Sequence, residues 1–345
     1  MAVRIAFMNV LFVAAVFAAY VWAVSAGPSV AAGVEWSAVA TGALVALLAF
    51  NWLCGGFVFW KFELEPRLHG MRFNPSQDER HIAKALSRYP RFYDTSAEGF
   101  EWVHAIEARS GEIIDEIKAL IASNQLEGRD PFSTAYDNKV LELGGSNWKA
   151  LNLISYGEKR SNLLPKTLEI LGAAPSLFNV NISRLAPHTE VKPHAGELTG
   201  YIRCHLGVVI PGTAPETAIT VGGDTRSWEE GKVLAFCDAH VHSARNGADK
   251  DRYVVIFDVM AEGLDWYAKD FCALMVALNV TQYFLPGRVN LDKEIWRPDV
   301  ILGYAALGTI GLPMLTGLYL YFRYFCKERP AWLSKLRDAG FGFYY

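Results

Sequence analysis

The apolar residues of this chain are gathered at its two ends, and that distribution limits what it can fold into. Ile5 to Val24 is almost purely apolar, and Trp36 to Trp60 is a second such run, broken only by small residues and Asn51. A third extends from Val300 to Phe322, with Gly303, Gly308, Gly311, Pro313 and Gly317 inside it. Each is close to the roughly 20 residues a helix needs to cross a bilayer, where glycine and proline are tolerated. The gathering accounts for a mean hydropathy of +0.14, high for a soluble enzyme of 345 residues.

The flanking charges suggest an orientation. The loop from Ser25 to Glu35 carries no Lys or Arg, whereas Lys61, Arg67 and Arg72 follow the second run. The positive-inside rule puts that loop outside and the region after Lys61 in the cytoplasm. Residues 1–26 also read as a cleavable signal peptide, with Val24-Ser25-Ala26 before Gly27. The long apolar core favours an uncleaved helix, and cleavage at Ala26 would leave the placement unchanged. A single crossing by the third run would carry the basic tail (Arg323, Lys327, Arg329, Lys335, Arg337) outside. Either that run is re-entrant or Phe271 to Pro286, too short to span comfortably, is also membrane-associated, as an interfacial helix. The expected organisation is a transmembrane hairpin over 1–61, a globular domain over 62–266, and a membrane-associated region over 267–345 with a transmembrane helix near 300–322.

With 52% apolar and 20% charged residues and a net charge of -3, the chain is neither a disordered tail nor a basic nucleic-acid binder. Its five cysteines are scattered and form no CxxC pair, which argues against a disulfide framework or a zinc knuckle. Within the middle region, Ser96 to Ser123 has apolar residues at helical spacing, and Leu163 to Leu171 reads as a helix stopped by Gly172 and Pro175. Asn124 to Asn147 reads as loop. Short β-rich runs follow at 178–183, 201–210, 218–221, 232–237 and 252–260. Their close spacing predicts a sandwich or small barrel rather than a βαβ unit.

Five of the eight histidines fall in the strand region: His188, His194, His205, His240 and His242. Histidine is the commonest metal ligand and imidazole suits iron. Three segments carry the chemistry: SRLAPHTEVKPHAG (183–196), RCHLGVVIP (203–211) and the stretch from Trp228 to Asp258. Together they resemble the aspartyl/asparaginyl β-hydroxylase family of Fe(II)- and 2-oxoglutarate-dependent dioxygenases. The resemblance is strong from Asn179 to Val259 and loose upstream.

The resemblance implies a mainly β catalytic core, a double-stranded β-helix or jelly roll, with packed N-terminal helices. The transmembrane helices at both ends would flank it. His194 and His242 match the iron ligands. Gly196 stands where most such dioxygenases have a carboxylate ligand, an acid this family lacks as well. Glu197 would point to the opposite side of an extended chain. His240 would share a face with His242 and is its rival, but the ten-residue spacing to Arg252 favours His242. Arg252 matches the anchor of the distal 2-oxoglutarate carboxylate, with Ser183 as a hydroxyl partner. Arg203 and His205, two apart on one strand face, match residues near the metal-chelating carboxylate. His188 and His240 are candidates for the substrate entrance. Trp228 to Lys232 reads as a structural turn, and nothing in the spacing of Asp224 or Asp238 requires either to supply the missing carboxylate.

The implied cofactors are Fe(II), 2-oxoglutarate and O2. The implied reaction hydroxylates a C–H bond while 2-oxoglutarate and O2 become succinate and CO2. Apolar runs on both sides of the domain favour a lipid acyl chain as substrate and an integral membrane protein whose catalytic domain is cytoplasmic. The alternatives are hydroxylation of Asp or Asn residues in a polypeptide, and a non-catalytic cupin-like binding or sensor protein.

Overall fold

The computed structural model describes residues 33–74, 80, 82–126, 130–134, 147–284, 310–327, 330 and 333. They fall into two compact units, one drawn from Met1–Leu68 and Ala273–Glu328, the other from His69–Cys272 and Arg329–Tyr345.

In the first unit a helix spans Gly33–Phe59 and continues through a π-helical turn, Trp60–Leu64, into Glu65–Leu68. Within it, Thr41–Leu68 is the one helix among the described residues long and apolar enough to cross a bilayer. Large apolar side chains stand bare on it, Trp52 at 69% and Leu53 at 65% exposure, as expected of a surface made for lipid or for a partner. The Leu312–Leu320 helix packs on it, with the Phe57 and Tyr319 rings 5.3 Å apart. Lys61 is buried beside Tyr319, 5.3 Å over its ring, and bonds Glu65 at 2.9 Å. The run from Ile5 to Val24 and the first ten residues of the run from Val300 lie outside the described residues. The stretch expected to form an interfacial helix is the helix Ala268–Phe284. Within it the side chains from Phe271 to Ala277 are buried.

The second unit is built on two antiparallel sheets. Its strands are β1 (Ser133–Thr134), β2 (Trp148–Ser155), β3 (Glu158–Lys159), β4 (Asn179–Leu185), β5 (Thr189–His194) and β6 (Tyr201–Val209). They continue with β7 (Thr217–Val221), β8 (Asp224–Arg226), β9 (Val233–Phe236), β10 (His242–Asn246) and β11 (Arg252–Met260). The larger sheet has the order β1-β2-β4-β11-β6-β9, with β3 on β2, and the smaller β5-β10-β7-β8. The expected β-rich runs all form strands; β1, β2, β3, β5, β8 and β10 are additional. Strand β11, RYVVIFDVM, is buried along its whole length because it is central and covered on both faces. One face lines the space between the sheets. The other meets helices, as where Trp102 stands edge-on to Phe257 at 6.2 Å. The expected helix from Ser96 to Ser123 is two helices, Glu101–Ala108 and Ser110–Leu126, broken at Arg109. Ser110-Gly111, a pair of weak helix formers, follows the break.

Register sets which side chains share a row on the inner face. Asn152, Asn181, Ile256 and His205 pair successively across β2, β4, β11 and β6. The next row holds Asn179, Asp258 and Arg203. Gly207 on β6 lets another segment close in, because a Cβ there would clash with the Glu229 carbonyl oxygen. The backbone of Gly231 donates to Gly207 O at 2.9 Å, and this close approach sets Trp228 beside His205. Gly207→Ala is expected to cost about 1–3 kcal/mol, as other overpacked cores do. An unchanged urea midpoint for that variant would contradict the account of the turn.

Candidate metal and anion site

Between the sheets lies a cavity of about 60 Å³, several times the roughly 10–15 Å³ that one water needs. His194 closes β5 and His242 opens β10, and the two are paired across those strands. Their ring centroids are 4.2 Å apart. Each Nδ1 lies 2.8 Å from a backbone carbonyl two residues earlier, Lys192 for His194 and His240 for His242. A carbonyl only accepts, so both Nδ1 atoms carry the proton and both Nε2 atoms present a lone pair. Burial, reinforced by His242, pushes the His194 pKa down to about 3, and burial lowers that of His242 too. Both rings are thus neutral at pH 7, the form that ligates metal.

Gly196 is the third part of this corner. A Cβ at that position would meet the Asp238 carboxylate and the Tyr201 hydroxyl. The space left by the absent side chain is therefore filled by a carboxylate from another segment. Asp238 Oδ1 stands 3.4 Å from His242 Nε2, and Oδ2 accepts from the Tyr201 hydroxyl. Burial alone would raise the Asp238 pKa, but Arg203 and His242 outweigh it and hold the acid ionised. Arg203 donates from Nη1 to Asp238 at 2.7 Å. It also grips Asp258 bidentately, at 2.8 Å from Nε and 2.9 Å from Nη2. Among the described residues no group of three or more His, Cys, Asp or Glu forms a closed metal site. Two imidazoles beside a carboxylate already committed to Arg203 could hold a metal with positions left open.

The other end of the cavity suits an anion. Arg252 is 2% exposed, and its Nε and Nη1 have no hydrogen-bond partner. Burial lowers its pKa to about 9, so it still carries its charge at pH 7. It lies over the Trp228 ring at 4.7 Å. The same indole donates to His205 Nδ1 at 3.1 Å, which puts the His205 proton on Nε2, an atom buried without a partner. Ser183 Oγ accepts from Trp148 Nε1 at 3.0 Å, leaving its own proton to donate. Two neutral donors, Ser183 O–H and His205 Nε2–H, and the Arg252 cation thus line the cavity with no protein acceptor among the described residues.

Six of the eight site residues expected from the sequence line this one cavity: Ser183, His194, Arg203, His205, His242 and Arg252. The other two do not. His240 lies in a turn before β10, so it does not alternate with His242; its Nε2 is 3.2 Å from Tyr89 O. His188 sits on an exposed turn with its Nε2 2.9 Å from Asp249. Glu197 is not among the lining residues, and Asp224 is on the surface, 3.1 Å from Arg91. The sequence reading missed the roles of Trp148, Trp228, Asp238 and Asp258. The WxEGK motif was the available signal for Trp228, but its turn hid the indole's partner.

The profile of the aspartyl/asparaginyl β-hydroxylase family matches residues 107–262, a span that contains every residue of this cavity. Over residues 107–262 the chain is thus similar to the aspartyl/asparaginyl β-hydroxylase family, as its motifs suggested. It is 32% identical over 173 residues to the ornithine lipid ester-linked acyl 2-hydroxylase of Rhizobium tropici, covering 49% of this chain and 60% of that protein. It is 33% identical over 131 residues to human aspartyl/asparaginyl β-hydroxylase, covering 36% of this chain and 17% of that one. Against the mouse aspartate β-hydroxylase domain-containing protein 2, identity is 30% over 160 residues and coverage 44% of each chain. The match thus spans between 17% and 60% of these relatives' own lengths.

Two outcomes follow for this site. Trp228→Phe keeps a ring under Arg252 but removes the donor to His205. The His205 ring nitrogens should then change from a single Nε2–H tautomer to a mixture, read by ¹⁵N-resolved NMR; an unaltered pattern would rule out the indole as the cause. His194, His205 and His242 are all held neutral below their ordinary pKa. The unfolded chain therefore binds more protons below about pH 6.5, and the metal-free protein should lose stability as pH falls from 7 to 5. A flat melting temperature across that range would contradict their buried neutral state.

Proposed function

We propose that this protein is an Fe(II)- and 2-oxoglutarate-dependent dioxygenase that hydroxylates a C–H bond of a lipid acyl chain at a membrane. The observation that carries the reading is Arg252, a buried cation without an acceptor in the cavity that also holds two neutral histidines. An ordinary core does not leave a guanidinium in that state, because the desolvated charge goes uncompensated. A planar dicarboxylate end would meet it bidentately, with Ser183 donating to the same carboxylate. His205 Nε2–H would donate to the opposite, chelating carboxylate.

His194 and His242 would hold the iron through Nε2, and their carbonyl-bonded Nδ1 atoms keep both rings in the ligating tautomer. The donor set fits: the His242 lone pair faces the ionised Asp238 at 3.4 Å, a repulsion a cation between them would relieve. Arg203 alone does not balance Asp238 and Asp258, so this corner carries a net negative charge without a metal. Bound iron supplies the oxidation that couples conversion of 2-oxoglutarate and O2 to succinate and CO2 with insertion of one oxygen into C–H. The protein's part is to fix the cosubstrate at both ends, hold the acceptor in register and keep the cavity otherwise dry.

Two observations support a lipid over a peptide side chain. Arg203 is already engaged by two carboxylates, so Arg252 is the one acceptor-free guanidinium lining the cavity among the described residues. One such cation serves one cosubstrate carboxylate and leaves none for an acidic substrate. Part of the wall (Ala150, Val191, Ile219, Ala244) is apolar and suits an alkyl chain. The Thr41–Leu68 helix supports membrane anchoring, with the domain on the cytoplasmic side by the charge bias around Lys61. Hydroxylation of polypeptide Asp or Asn is the second reading, favoured by the human relative's name.

His194→Ala is expected to abolish conversion of 2-oxoglutarate to succinate. Arg252→Lys, which keeps the charge but loses the fork, should raise the 2-oxoglutarate requirement about 10- to 100-fold. Full turnover by the first variant would refute the ligand role, and an unchanged requirement in the second would refute the anchor. Lipids from cells with the protein should carry one more hydroxyl oxygen on an acyl chain than lipids from cells without it. An identical lipidome alongside newly hydroxylated peptides would transfer the activity to the second reading.

A further inference from the structure

Three polar side chains of the cavity wall take no part in the metal or anion machinery. Asn152 on β2 and Asn181 on β4 are direct cross-strand partners, so their Cβ atoms stand about 5 Å apart on the inner face. Neither carboxamide makes a hydrogen bond to the protein, although each offers two N–H donors and an acceptor oxygen. Ser155, at the end of the same strand, is 2% exposed and lines the same cavity, and its Oγ is buried with no partner. A buried polar group without a partner, such as Ser155 Oγ, is uncommon; with two half-buried asparagines lining the same cavity, it marks a place where a ligand can supply partners.

We propose that Asn152, Asn181 and Ser155 form a neutral polar subsite that grips the acyl carbonyl of the substrate. The inference rests on the reading of the cavity as an acyl-lipid site. The cluster bears no charge, and the nearest acid and base in register, Asp258 and Arg203, already satisfy each other at 2.8 Å. A carboxylate or phosphate would therefore lose its water without gaining a cation, whereas an ester or amide carbonyl needs only neutral N–H and O–H donors. An alkyl chain has no polar feature of its own to set its position in an apolar slot. A fixed carbonyl supplies that register, and so decides which carbon of the chain faces His194 and His242.

The test is equilibrium binding to the full-length protein, loaded with 2-oxoglutarate and Zn²⁺ so that no turnover occurs. The probes are monododecanoyl glycerol (an ester), N-dodecanoyl ethanolamine (an amide), 1-O-dodecyl glycerol (an ether lacking the carbonyl), and a short acetylated, Asn-containing peptide. The wild-type protein is expected to bind the ester or the amide about tenfold more tightly than the ether. Which of the two it prefers identifies the linkage. Asn152→Leu/Asn181→Leu should bring that affinity down to the ether's while leaving the ether unchanged. Ser155→Ala, a smaller change that keeps the fold, should weaken the carbonyl probe about threefold and the ether not at all.

Equal affinity for all three lipids, binding of none, or a preference that survives the substitutions would overturn the proposal. So would tighter capture of the peptide, or a matching loss of 2-oxoglutarate affinity, which would assign the asparagines to the cosubstrate. The readout is independent of catalysis. A protein that discriminates ester from ether but never consumes 2-oxoglutarate would keep the subsite and lose the dioxygenase reading.

Discussion

The Arg203 guanidinium, held between Asp238 and Asp258, is the interaction on which the site depends. It ties β6 to the neighbouring strand β11 and to the segment that leads into β10. Through Asp238 it reaches the Tyr201 hydroxyl, the space over Gly196 and the face of His242. A buried ion pair is a poor source of net stability, because desolvation offsets the attraction. Its effect here is positional. It places a negative charge in one corner of the cavity and removes one of the two lining guanidiniums from competition for an anion. The other, Arg252, remains as the cavity's acceptor-free cation.

The polarity of the cavity follows from that division. A corner with net negative charge and two imidazole lone pairs is matched to a cation. The end with Arg252, Ser183 and the His205 N–H is matched to an anion. Trp228 couples the anion-binding groups, since its ring carries Arg252 and its N–H sets the His205 tautomer. The proposed cosubstrate, 2-oxoglutarate, has a chelating end and a distal carboxylate to match the two ends.

Much of this was legible in the sequence. The long hydrophobic strands, above all β11, announced themselves by β-branched and aromatic residues. The PHxG and RxHLG motifs and the ten-residue step from His242 to Arg252 marked the residues that meet in the cavity. The strands carrying the histidines, β5 and β10, did not read as strands. They are short and hold Pro193, Lys192, Arg245 and Asn246, which weaken any period-two pattern. The expectation for His240 failed because alternation applies only within a strand, and its residue belongs to a turn. The space over Gly196 is filled by the Asp238 carboxylate, a tertiary contact that linear spacing cannot display. The resemblance placed Arg203 near the chelating carboxylate, but its ion pairs with Asp238 and Asp258, 35 and 55 residues away in the chain, were not legible.

The most direct test of the central claim is anomalous diffraction from crystals soaked with Mn²⁺ and 2-oxoglutarate. The account predicts one manganese peak ligated by His194 Nε2 and His242 Nε2, with the cosubstrate running from it to Arg252. A manganese peak elsewhere, or cosubstrate bound away from Arg252, would contradict it.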